Sequence, residues 1–140
     1  MNAADIALVV HLLGLLLWIG GAITASWMAA SAVSAGDARS LSSVRSALLA
    51  VVAPGILLAT IGGLVRLVPM WSAHYAHAPW MHGKLTIGFV LGALHGVLVN
   101  RVRKASRGEA VPAGLFVGLA ATYAVLGTAA VALAILRPGE

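Results

Sequence analysis

The chain contains no cysteine. That removes disulfides, thiolate metal sites and cysteine nucleophiles at once. It is almost as poor in acids, with four Asp and Glu in 140 residues, and only 9% of all residues are charged. Soluble domains carry roughly 25% charged residues. A chain so short of charge cannot cover its own surface for water, and lipid is the solvent its composition fits. None of the acids lies deep within an apolar stretch. Paired-carboxylate catalysis and carboxylate-bridged di-iron chemistry therefore lack their ligands. No glycine-rich phosphate loop follows a strand pattern. The first five residues carry no Lys or Arg, and the first apolar run outlasts a usual signal-peptide core, so no cleaved leader is expected.

What the chain has in abundance is apolar sequence, 61% of the residues. It falls into four runs, at about residues 6–30, 47–68, 80–100 and 112–136. A membrane-spanning helix needs about 20 apolar residues at about 1.5 Å rise each, and every run is long enough. In lipid the backbone must satisfy its own hydrogen bonds, so the runs are predicted to be helices. The links "SAVSAGDARSLSSVR", "VPMWSAHYAHAP" and "RVRKASRGEAVP" are short and polar, with Pro112 placed to open the last helix. Short links make neighbours antiparallel. The expected fold is all-α: one domain over residues 1–140, an integral membrane four-helix up-down bundle.

The net charge is +5, and its placement decides its meaning. Arg39 and Arg45 lie in the first link, and Arg101, Arg103, Lys104 and Arg107 in the third. Both links fall on one side of the bundle. The positive-inside rule puts that side in the cytoplasm and both termini outside, as expected of a multi-pass protein of a bacterial inner membrane. Read this way, the basic cluster is a topology signal facing lipid, and no nucleic-acid partner is expected.

Small residues recur every four positions: Gly88, Gly92 and Gly96 in the third run, Gly55, Ala59 and Gly63 in the second, Gly114 and Gly118 in the fourth. This spacing lets helix backbones approach in lipid. Packing within the bundle is the preferred reading. A homo-oligomer face, or room for a flat cofactor, are the alternatives.

The polar groups inside the apolar runs carry the chemistry. Lys84 and Arg66 both lie near the outer ends of their runs. Each could snorkel to the interface, pair with Asp5, or receive a carboxylate of a ligand. Histidine is the usual haem or metal ligand where thiolates are absent, and His11, His82 and His95 all fall in predicted helices. His11 and His82 differ in expected depth by about 6 Å, while His95 lies about 20 Å further in than His82. His95 shares a helix face with Lys84, Gly88 and Leu91, eleven residues making about three turns. His74 and His77 fall in the outer link, and Trp71, Tyr75 and Trp80 read as an interfacial aromatic belt. Trp18 follows His11 by two turns on nearly the same face, where it can stack on a ring or fill the bundle; Met28, Met70 and Met81 are soft ligands or gap fillers. The inventory suits a porphyrin held between helices, with cations on its carboxylates.

At these residues the chain resembles a known family. "HLLGLLLWIGG" from His11, "APGILLATIGGL" from Ala53 and "WMHGKLTIGFVLGALHG" from Trp80 follow in the order seen in HemJ-type protoporphyrinogen IX oxidases, with "RVRKASRGE" similar to the basic end of that family's third helix. The resemblance covers most of residues 6–109. The His-x-Lys-Leu at His82, with a second His eleven residues after Lys84, is its most specific element. It implies a haem-b-binding membrane oxidoreductase that converts protoporphyrinogen IX to protoporphyrin IX. Carried over by position, His11, His82, Lys84 and His95 would be the functional residues: Lys84 and His95 catalytic, His11 and His82 on the metal, with His95 the alternative second ligand; beside them, from their own positions, Trp18 and Arg66 would help hold the cofactor. From the membrane setting alone, quinone or the respiratory chain is the expected electron-accepting partner. The chain departs from that family at "AITASWMAA", where an aromatic-Leu-Pro-Arg segment is usual, and it lacks the Arg-Leu-Tyr before the second helix's Pro-Gly. The His followed by Trp-x-Gly-Gly is also similar to CopD-like copper-resistance membrane proteins. A copper transport or tolerance protein using His11, His82 and the methionines is the competing expectation, and a haem-free structural subunit is the third.

Overall fold

The computed structural model describes residues 2–138. They form four helices: α1 Ala3–Ala35, α2 Ala38–Tyr75, α3 Pro79–Ser106 and α4 Ala113–Leu136. No strand occurs among the described residues. All four helices are long and apolar enough to cross a membrane, and the fold is an all-α membrane four-helix bundle.

The helices outrun the apolar stretches that predict them. At about 1.5 Å per residue, α1 and α2 each approach or exceed about 50 Å, against about 30 Å of hydrocarbon. Most of the first predicted link is helix. Reversal there needs only Gly36, at a left-handed φ of 67°, and Asp37, whose side chain caps α2 by accepting from the Arg39 and Ser40 amides at 3.1 Å. Gly36 is the position that tolerates that backbone at no steric cost, and Asp37 satisfies orphan donors of the new helix. The segments on either side of them are rich in Ala and Ser, and once outside lipid nothing breaks their helices. Likewise α3 runs on to Ser106, and α2 runs through Trp71–Tyr75. Pro112 sits at the start of α4 as expected.

Two long helices contain π-helical turns, Leu16–Gly20 in α1 and Leu48–Val52 in α2, and a third ends α2 at Trp71–Tyr75. The second has an evident cause. Pro54 lies inside the continuous α2, lacks an amide hydrogen and crowds the preceding turn. The wider turn just before it relieves that crowding.

The packing differs between the two ends of the bundle. The second half of α1 lies on α4, α4 lies on α3, and the first turns of α2 lie on α3. There the main core forms, with Leu41, Val44 and Leu48 of α2, Leu98 and Val102 of α3, and Phe116 of α4. At the opposite end, which carries both termini, the first half of α1 packs on the second half of α2, and the two have little contact with α3 and α4. The α1–α2 crossing is backbone on backbone. A Cβ on Gly14 would collide with the backbone of Ala59, one on Gly55 would stand 2.8 Å from the Trp18 nitrogen, and one on Gly62 would stand 2.6 Å from the Ala7 oxygen and the His11 nitrogen.

The expected packing role of the small residues holds for Gly55, Ala59 and Gly63 of α2 but fails for those of α3 and α4. A Cβ added at Gly88, Gly92, Gly96, Gly114 or Gly118 would meet nothing within 4 Å. Four-residue spacing licenses a close approach without naming a partner, and in one chain these glycines border open space. Asp5 is also corrected as a partner for the inner cations. Its carboxylate accepts the Asn2 amide at 3.0 Å while the Asn2 side chain accepts the Asp5 amide at 2.9 Å, a closed capping box. The one ion pair among the described residues is Lys104–Glu109.

Candidate functional site

The close α1–α2 crossing builds the site. It brings His11 of α1 onto Gly62 and Gly63 of α2. The imidazole lies over Gly63, where a Cβ would stand 3.1 Å from Nδ1 and 3.2 Å from Cε1. With that space clear, His11 Nδ1 reaches the Ala59 carbonyl oxygen at 2.6 Å. A carbonyl only accepts, so Nδ1 carries the hydrogen, and Nε2 of the neutral ring keeps its lone pair. A backbone carbonyl fixing one ring nitrogen and presenting the other is the usual support for a metal-binding histidine.

Two cations stand within electrostatic reach of that ring. Lys84 of α3 and Arg66 of α2 both act on His11, and Arg66 acts on Lys84. Lys84 is half-buried and Arg66 exposed. Neither has an ion-pair partner among the described residues. Two cations that act on one imidazole without an acid beside them favour a ligand bearing negative charge.

Lys84 begins the inward face of α3. Below it come Gly88, Leu91, His95, Leu98 and Val102, the leucines and valine fully buried and the others half-buried. The expected stripe is therefore the face that α3 turns to the bundle. His95 has a buried Nδ1 without a hydrogen-bond partner. Its distance along α3 from His82, about 20 Å by helical rise, places the two at different levels.

His82 is exposed and has a local duty. Its Nε2 lies 3.0 Å from the Ala76 carbonyl oxygen, and its ring meets Trp71 edge-on at 5.6 Å. It thereby closes the α2–α3 turn. Ligation by His82 would use Nδ1 or release Ala76. Trp18 is buried in the main core with its Nε1 unpaired, so it fills the bundle. The methionines are scattered: Met81 is buried beside Trp80, Met70 lines a groove with His74 and Arg137, and Met28 lines a different groove with Asp37 and Ser40.

Tyr123 is a further residue at the inward face that its sequence position does not single out. It is fully buried, and its hydroxyl donates to the Leu91 carbonyl oxygen at 3.3 Å, tying α4 to the inward face of α3. A lone phenol amid an apolar run was the available signal. The Gly62–Gly63 seat of His11 had no such signal, because the register between α1 and α2 is written in neither helix alone.

These residues fit a haem. Among the described residues no three His or acidic side chains converge to hold a metal ion, and a porphyrin brings its own equatorial donors, needing from the protein one well-fixed imidazole and partners for its carboxylates. His11, in its Gly63 seat, would be that imidazole, and Lys84 and Arg66 would be the carboxylate partners. Compared with known protein families, curated proteins and solved structures, the chain finds no match.

Proposed function

We propose that the protein is a haem-b-binding membrane oxidoreductase acting on a porphyrinogen, as the resemblance to HemJ-type protoporphyrinogen IX oxidases suggests. The observation that carries this reading is the His11 arrangement: Nδ1 committed to Ala59, Nε2 free, and two unpaired cations within electrostatic reach. In this reading His11 holds the iron through Nε2. Lys84 and Arg66 take the carboxylates of the cofactor or substrate and set its orientation. The haem, when bound, supplies an acceptor for the substrate's electrons, which pass on to a quinone or the respiratory chain. His95, on the same inward face, accepts protons released as the porphyrinogen is oxidised. The weak contact between the α1–α2 and α3–α4 pairs at this end lets a hydrophobic tetrapyrrole enter sideways from lipid. The setting is a bacterial inner membrane, with both termini outside by the placement of Lys and Arg.

The test is function in a cell. Expression should restore growth without added haem to a strain lacking protoporphyrinogen oxidase, and membranes should oxidise protoporphyrinogen faster than vector controls. Copper bound by purified protein that carries no haem, together with failed complementation, would favour the copper-tolerance reading instead.

A further inference from the structure

The end of the bundle away from the site carries an uncompensated ring of charge. Six of the nine cations, Arg39, Arg45, Arg101, Arg103, Lys104 and Arg107, are at this end, with two of the four acids. Both acids are committed. Asp37 caps α2 and accepts the Ser40 hydroxyl at 2.5 Å, and Glu109 pairs with Lys104 at 3.7 Å. Arg103 donates to the Asn100 side chain at 2.9 Å. Arg39, Arg45, Arg101 and Arg107 are exposed and have no ion-pair partner among the described residues.

Helix stability does not account for this placement. Cations in the last turn of α3 complement its dipole, which covers Arg103 and Lys104. Arg39 lies in the first turn of α2, where the dipole disfavours positive charge, and Arg45, seven residues past Ala38, is beyond the dipole's reach. Their depth is informative. Arg45 and Arg101 stand at the very ends of apolar runs, and Arg39 and Arg107 lie about 9 Å further out by helical rise. The four thus span the thickness of a headgroup layer. Arginine's planar fork binds phosphate oxygens in pairs. At the same end a groove lined by Trp27, Met28, Ala32 and Val44 offers an apolar seat, with Asp37 and Ser40 also on its wall.

We propose that this ring binds anionic phospholipid headgroups of the phosphatidylglycerol type, concentrating them around the lower end of the bundle. A juxtamembrane cation contributes a preference on the order of fivefold when it meets an anionic headgroup. The test uses purified full-length protein reconstituted in phosphatidylcholine vesicles carrying a trace of spin-labelled phosphatidylglycerol or spin-labelled phosphatidylcholine. Electron paramagnetic resonance reads the motionally restricted fraction of each. The wild type should hold the phosphatidylglycerol label severalfold more strongly, and 1 M salt should bring the ratio close to one. An Arg39→Gln/Arg107→Gln variant should lower it at unchanged helicity, and replacing all four arginines should abolish it. Equal restriction of both labels by the wild type would overturn the proposal, leaving the ring to orientation or to a soluble acidic partner. So would a preference that survives both high salt and the four substitutions. The wild-type salt series decides the matter even if the fourfold variant does not fold.

Discussion

At the scale of single residues, Lys84 separates chemistry from snorkelling. A lysine at the centre of a spanning helix costs about 2.5–3.5 kcal/mol to insert; Lys84, near the outer end of α3, meets a part of that cost and forms no ion pair among the described residues. Removing its charge relieves a cost, so Lys84→Met is expected to insert and fold at least as well as the wild type by membrane yield and circular dichroism. The same variant is expected to lose complementation of the oxidase-deficient strain, with Lys84→Arg impaired less because it keeps the charge but changes its shape. Full complementation by Lys84→Met would leave the lysine a snorkelling role. Lys84 was legible as a candidate from its type and depth. The pose of His11 was not, since it depends on Ala59 and Gly63, about fifty residues away in sequence, meeting one face of α1.

At the scale of elements, the glycines of the apolar runs separate into two classes. Gly14 is pressed on the Ala59 backbone, which cannot step aside, whereas Gly88 and Gly118 border open space. Gly14→Leu is expected to destabilise the α1–α2 pair by about 3 kcal/mol or more, read as a lower midpoint in detergent unfolding and as lost ligand binding at His11. Gly88→Ala and Gly118→Ala are expected to be neutral or to stabilise their helices by up to about 1 kcal/mol. A tolerated Gly14→Leu would contradict the crossing. The cap of α2 gives a test by pH. Hydrogen bonds from the Ser40 hydroxyl and amide hold the Asp37 carboxyl below its usual range. A depressed folded pKa means stability that is present above the unfolded value and is lost as pH falls through the folded one. Asp37→Asn is therefore expected to unfold more easily than the wild type near neutral pH, with the difference vanishing in acid below the ordinary carboxylate range. The "GD" at Gly36–Asp37 was a readable stop-and-start signal, while the true length of α1 and α2 was not readable from hydropathy, because Ala- and Ser-rich turns stay helical after leaving lipid.

At the scale of the whole molecule, the architecture was the most legible feature. Four apolar runs with short polar links leave a lipid-solvated backbone no alternative to helices, and that constraint does not depend on side-chain detail. The site was legible as a set of residue types. Its assembly was not, because neither the α1–α2 register nor the loose contact between the two helix pairs at the end bearing the termini leaves a mark on hydropathy. Orientation is testable at this scale. Changing Arg101, Arg103, Lys104 and Arg107 together to Gln is expected to disturb insertion or invert the bundle, as reporters fused to the termini would show; lost activity at unchanged topology would assign the cluster a part in the chemistry. The central claim is that His11 presents Nε2 to a haem beside Lys84 and Arg66, and its most direct measurement is the visible spectrum with pyridine haemochrome content. Protein purified from haem-replete cells is expected to show a Soret band and b-type haem, with His11→Ala at normal yield losing most of it. A wild type without a Soret band, or a His11→Ala variant with undiminished haem, would contradict the account.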